Sequence, residues 1–352
     1  MTRDEMPEMN AVAPGLEEGD LRIIAEGFGL GPVRRVEFLP GGIMNRNWRI
    51  ETAAGSFALK LLLDVSAEVA CRNARVLVDL RAAGLPVCAP VLTPAGEVLF
   101  QAGSGDYLVS SWAEGAHREG TDLSSGETES FGSLVADIHN ALHAQIGASL
   151  PEAGEAPRAK ITAAERALEK ADRLLTRIAV IPEPTSFDMA ARDLLAERKV
   201  LIEKHRSCIP SGGTGGWLFG WTHGDLQYRN VLHHEGTVSA VLDWDRIAVR
   251  RLGEEVARTA QVQFGGEHGY LDLERVAAFV TGYRAVKPLP RDDLVEAVDR
   301  LWWKRMSDFW MFEFHYDRGD HGPDALMEPS ERLLAWWTDQ RDEVQAAFAA
   351  GA

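Results

Sequence analysis

Apolar residues fall in two rhythms along this chain, and the change between them divides it. Leu16, Leu21, Ile24 and Phe28 recur at loosely helical spacing and stop at Gly29, which predicts a short amphipathic helix. The period then becomes that of strands. Residues 33–39 run into Pro40-Gly41-Gly42, residues 47–51 into a turn at Ala54-Gly55, and residues 57–62 form a third strand. A helix over 66–83 closed by Gly84 and two further strands near 98–101 and 107–111 complete this half. Beyond it the helical period dominates. Phe131, Leu134, Val135, Ile138 and Leu142 follow i, i+3, i+4, i+7, i+11, the stripe of a core helix. Charged helical stretches follow around 160–178 and 187–205, and a Gly-rich linker spans 211–216. Residues 231–242 read as strand, tight turn at Glu235-Gly236 and strand. Trp302, Met306, Phe309, Trp310 and Glu313 return to helical spacing. Strands first and helices afterwards imply an α+β chain, and 352 residues are enough for two lobes.

The chemistry concentrates around the predicted hairpin. His223-Gly224-Asp225-Leu226-Gln227-Tyr228-Arg229-Asn230 precedes it, and Val241-Leu242-Asp243-Trp244-Asp245 closes it. Asp225 and Asn230 have the Asp-x-x-x-x-Asn spacing of the protein-kinase catalytic loop. Phosphoryl transfer needs a carboxylate to receive or orient the proton of the attacking hydroxyl, and Asp225 offers one. It also needs oxygen ligands for magnesium, which takes one or two protein donors alongside the nucleotide phosphates and keeps its remaining waters. Asn230 and Asp243 supply an amide oxygen and a carboxylate, and a hairpin returns both to one edge.

Composition narrows the class. A formal net charge of -16 disfavours nucleic acid as a partner, because the phosphate backbone would be repelled. The same charge would favour a cationic acceptor. No apolar run approaches a membrane span, and the acidic N-terminus lacks the basic and apolar regions of a signal peptide, so a cytoplasmic protein without a membrane partner is expected. Cys71, Cys88 and Cys208 are few and scattered, which argues against a disulfide framework or a zinc cluster. His139 and His143 are four residues apart but lack a third ligand in the HExxH manner, so they read as packing histidines.

HGDLQYRNVL and VLDWD resemble the aminoglycoside phosphotransferase and choline kinase-like family. The resemblance implies a two-lobed, protein-kinase-like fold: a nucleotide-binding lobe at 1–106 built on a small antiparallel sheet with one main helix, a hinge at 107–115, and a mainly helical lobe at 116–352. It implies ATP as donor, with GTP left open, Mg2+ as metal and a small-molecule hydroxyl as acceptor. In that layout Gly41, Gly42 and Asn45 belong to the loop over the donor phosphates. Lys60 contacts those phosphates, and the backbone at Ser110, Ser111 and Trp112 meets the adenine. The family's helix glutamate, the usual partner of this lysine, is absent: Asn73 stands in its place, so Glu68 one turn earlier, or an amide, would have to hold Lys60. Glu255 braces the larger lobe, and Asp245 could share the face of Asp243. The acceptor side falls in the aromatic and acidic segment 301–317, where Asp308, Glu313, Asp317 and Trp310 are candidates to bind an amine-bearing molecule. An aminoglycoside or other antibiotic, in resistance or self-protection, is the leading acceptor. Choline, homoserine or a sugar is the metabolic alternative, and a catalytically silent ligand-binding protein the reading from another class.

Overall fold

The computed structural model describes residues 16–40, 45–103, 105–146, 161–210, 217–265 and 268–351. Helix α1 (Glu18–Gly27) leads into β1 (Val33–Leu39), β2 (Arg46–Thr52) and β3 (Gly55–Leu61). After α2 (Ala67–Ala82) come β4 (Leu99–Ala102) and β5 (Gly105–Ser111). These strands form one antiparallel sheet in the order β1-β2-β3-β5-β4. Side chains alternate across a strand, so Trp48 and Ile50 of β2, Leu59 and Leu61 of β3, and Tyr107 and Val109 of β5 share the face that covers α1. There they bury Leu21, Ile24 and Phe28 in a small core. The alternation also explains a lysine among apolar neighbours: Lys60 lies between Leu59 and Leu61 and points from the opposite face, toward the rest of the molecule.

The second part is helical. It comprises β6 (Ala116–His117), α3 (Ser125–Ile146), α4 (Ala164–Ala179), α5 (Ser186–His205), β7 (Phe219–Thr222), β8 (Val231–His234), β9 (Thr237–Val241), β10 (Ala248–Arg251), α6 (Leu252–Phe264), α7 (Leu273–Val286), α8 (Arg291–Ser307), α9 (Trp310–Glu313), α10 (Met327–Asp339) and α11 (Arg341–Phe348). Strands β6, β8 and β9 form one small sheet and β7 pairs with β10. Its core takes Phe131, Val135, Ile138 and Leu142 of α3, the predicted stripe, together with Trp302, Trp303 and Phe309. The charged stretches become the hairpin α4–α5, with Thr185 and Asp188 forming a capping box at the start of α5. The turn between β8 and β9 has positive φ at Glu235 (49°) and Gly236 (77°), as a two-residue hairpin of right-handed twist requires.

Strand β5 contains the stretch 107–111 that the sequence marks as a strand, and these residues are also the first five of the expected hinge. Helix α2 packs Val76 and Leu80 into the core of the helical part rather than the small core. The two parts are tied further by the backbone bond from Val241 N–H to the Pro86 carbonyl, 2.7 Å.

Candidate active site

The segment after β7 is held by its neighbours before any ligand is considered. Glu255 of α6 accepts the main-chain N–H of His223 at 3.1 Å and that of Gly224 as well. It also accepts from His139 Nε2 at 2.6 Å, while Tyr283 hydrogen-bonds His139 Nδ1 at 2.8 Å. Burial alone would raise the Glu255 pKa. The hydrogen bond and charge of His139, with help from His223 and the Gly224 N–H, outweigh it and hold the carboxyl below its ordinary value. His139 is thus a packing histidine with a polar task. His223 Nδ1 accepts from the Asp225 N–H at 3.2 Å and its Nε2 donates to the Leu242 carbonyl at 2.9 Å. That pattern fits a neutral ring, and complete burial lowers its pKa. Gly224 has φ +87°, and a Cβ there would meet the Arg246 carbonyl oxygen at 2.4 Å, so glycine is required in this turn.

These braces accompany bonds that tie Asn230 to Asp225 and to Leu242, the residue before Asp243. Asn230 Nδ2 donates to the Asp225 carbonyl at 2.8 Å, and its own carbonyl accepts from Leu242 N–H at 2.8 Å. The amide oxygen of Asn230 is therefore aimed away from that carbonyl. Asp243, two residues beyond β9, is left-handed with φ 59°, a conformation costly for a non-glycine residue and typical of positions under functional constraint. Its side chain is 46% exposed and its Oδ1 lies 3.2 Å from Lys60 Nζ. An exposed carboxylate and an oriented amide oxygen are the hard donor pair that Mg2+ accepts.

Lys60 corrects the expectation about its partner. Neither Glu68 nor an amide holds it; Asp245 Oδ2 does, at 2.6 Å, with Asp243 as second contact. Asn73 is buried and bonds elsewhere, its Nδ2 donating to the carbonyls of Trp244 at 2.8 Å and Asp245 at 3.2 Å. The residue in place of the family glutamate thus fixes the backbone that carries the lysine's new partner. Asn45 is tied into the protein through its side chain: its Nδ2 donates to Asp245 Oδ2 at 2.8 Å and its Oδ1 accepts from Leu63 N–H at 2.9 Å. Gly41 and Gly42 lie outside the described residues. At the end of β5, Ser111 N–H donates to the Ala89 carbonyl and Trp112 N–H to that of Ser56. Ser110 faces Ala58 in the β3–β5 ladder. A main-chain donor to a base would come from beyond Trp112, whose ring lies under Arg49.

The acceptor-side acids are not open. Glu313 pairs with Lys170 at 3.0 Å, and Asp317 with Arg173 at 2.8 Å and Arg177 at 2.9 Å. The hydrogen bond from Arg173 holds the Asp317 carboxyl below its usual range. Helix α4 supplies all three cations, an encounter between distant segments that spacing could not reveal. Asp308 accepts from the Trp310 N–H at 3.1 Å at the start of α9, and Trp310 stays partly exposed. Arg258 stands where the sequence gave no warning: its Nη2 lies 2.6 Å from Asp225 Oδ1, with Gln227 Nε2 3.2 Å from Oδ2. It follows Glu255 by three residues, so the helical period that places Glu255 under the loop also turns Arg258 toward it.

Residues 35–289 match the model of the phosphotransferase enzyme family. A homoserine kinase of Methylobacillus glycogenes is 24% identical over 333 residues, covering 89% of this chain and 95% of that protein. Among solved structures, a spectinomycin phosphotransferase in complex with ADP and spectinomycin superposes with a TM-score of 0.65 at 13% identity, covering 93% of this chain and all of that one. A choline kinase of Cryptosporidium parvum Iowa II superposes at 0.57 and 10% identity, covering 92% and 97%. The braced catalytic segment and the kinase-like division into sheet and helical parts find their explanation here: the chain belongs to the phosphotransferase enzyme family and is a small-molecule phosphotransferase.

Proposed function

We propose that this enzyme transfers the γ-phosphate of ATP to the hydroxyl of a small acceptor that carries a carboxylate, in the manner of an amino acid such as homoserine. The observation that carries the choice is Arg258, whose guanidinium sits 2.6 Å from the carboxylate of Asp225. A planar cation beside the proton-accepting group recognises a carboxylate well, and a cationic acceptor would be repelled by it. A further point supports the reading: the homoserine kinase relative aligns over most of its length.

Asp225 receives or orients the acceptor proton. Lys60 meets the donor phosphates and keeps Asp245 as its partner within the protein. Asn230 and Asp243 hold Mg2+, which would neutralise charge on the phosphate oxygens. Most of the rate would come from positioning, since this transition state asks for little covalent help.

The second reading, an aminoglycoside or other cationic antibiotic, is favoured by the net charge of -16. Turnover of ATP with Mg2+ on homoserine, choline, a sugar, spectinomycin and aminoglycosides, read with a mass gain of about 80 Da for added phosphate, separates the two. Arg258→Ala should raise KM for a carboxylate-bearing acceptor and leave KM for ATP unchanged. Turnover confined to cationic acceptors, with KM unaffected by that substitution, would replace this reading with the second.

A further inference from the structure

We propose that His315, His321 and Asp324 form a binding site for a divalent transition-metal ion of the zinc class, separate from the Asn230 and Asp243 pair. His315 Nδ1 lies 2.9 Å from Asp324 Oδ2, His321 Nδ1 lies 3.3 Å from the same oxygen, and the two ring nitrogens are 3.0 Å apart. Tetrahedral ligands at zinc–nitrogen and zinc–oxygen distances stand about 3.3 Å from one another, and cis octahedral ligands slightly closer. The triangle therefore has the dimensions of one face of a coordination sphere.

Proton bookkeeping points the same way. If both imidazoles donated from Nδ1 to Asp324, two N–H groups would converge at 3.0 Å; a cation between the lone pairs satisfies all three at once. Two imidazoles and a carboxylate suit zinc, cobalt or nickel better than magnesium, which prefers oxygen throughout.

The surroundings hold the ligands in place. His315 lies in the π-helical turn Phe314–Arg318, a form common at functional sites, and its ring stacks on Phe187 at 4.1 Å between centroids. The Asp320 N–H closes onto the Phe314 carbonyl at 3.0 Å and the Asp324 N–H onto the His321 carbonyl at 3.1 Å, so both ends of the loop are fixed. His321 is largely exposed, which gives the ion an entry path and leaves a coordination position for water. The group is the one set of three such side chains with metal-ligand geometry among the described residues.

The test uses tag-free full-length protein with Mg2+ in excess, so that the oxygen-rich catalytic pair is occupied, and Co2+ as spectroscopic probe. One equivalent of Co2+ should give visible d–d bands of a nitrogen-ligated ion. His321→Ala and Asp324→Asn, the first at an exposed position and the second nearly isosteric, should each weaken binding by more than about tenfold. Asp243→Asn should keep the bands. Absence of d–d bands in the unsubstituted protein, or bands that persist unchanged in His321→Ala, would overturn the assignment.

Discussion

Asp245 shows how a single side chain can replace a missing one. The family pattern asks α2 for a glutamate and the chain offers Asn73, yet Lys60 is not left unpaired, because Asp245 and Asp243 reach it from across the molecule. Asp225→Ala should lower kcat by about 10^2 to 10^4, the range for losing a positioned proton acceptor, with a normal circular dichroism spectrum; near-unchanged turnover would remove Asp225 from the reaction. Asp245→Asn should act differently. It leaves the acceptor side intact but weakens the shorter of the two carboxylate contacts of Lys60, so KM for ATP should rise several-fold more than KM for the acceptor; equal changes in both would show that Asp245 does not position the lysine. Asp225, Asn230 and Asp243 could be singled out as candidates because their spacing is local and chemically restrictive. The partnership of Lys60 with Asp245, 185 residues apart, and that of Arg258 with Asp225 depend on how distant elements dock. No short-range pattern encodes that.

Elements long enough to show a period, or bounded by a clear turn as β8 and β9 are at Glu235-Gly236, were readable; β6, β7 and β10 were not. Helix α3 carries four of its five predicted stripe residues, Phe131, Val135, Ile138 and Leu142, fully into the core, with Leu134 half-buried against it. Strands β6, β7 and β10, of two to four residues, are too short for an alternation to be distinguished from chance. Glycines within helices carry a different message. Gly282 of α7 would place a Cβ 1.9 Å from the Glu129 carbonyl oxygen, and Gly132 of α3 one 2.0 Å from that of Phe279. The α3–α7 contact therefore relies on backbone approaching backbone. In an isolated helix, glycine to alanine is worth about 1 kcal/mol of stabilisation. Here Gly282→Ala should instead destabilise by about 1–3 kcal/mol through overpacking, read from urea midpoints at constant m. Gly126, with nothing within 4 Å, should tolerate alanine, so stabilisation at both sites would mean that the two helices do not approach so closely.

Across the whole molecule, the two-part plan was legible because a change from strand to helical period survives local error. The boundary was less so, because α2 lies between strands of the first part yet packs Val76 and Leu80 into the core of the second. The same packing sets the response to acid. His223, His205 and His233 are all held below their ordinary pKa, chiefly by burial. The unfolded chain, with histidines near pH 6.5, therefore binds protons that the folded state refuses. Stability from these groups is complete above about pH 6.5 and is lost as pH falls through that value toward their folded pKa values. A second loss follows lower down. Glu127 is pulled to about 2 by its hydrogen bonds with Arg118 and Ser124, and Glu255, Asp188 and Asp317 are also lowered. Their contribution is present above the unfolded carboxylate range, near pH 4, and disappears as pH falls below it. Thermal melts should thus show Tm level between pH 7 and 8, a decline beginning near 6.5 and a steeper one below about 4.5. His223→Asn should lessen the first decline, since one of the three rings that must be kept neutral is gone. A Tm that stayed constant from pH 7.5 to 5.5 in the unsubstituted enzyme would show that burial does not hold these rings neutral.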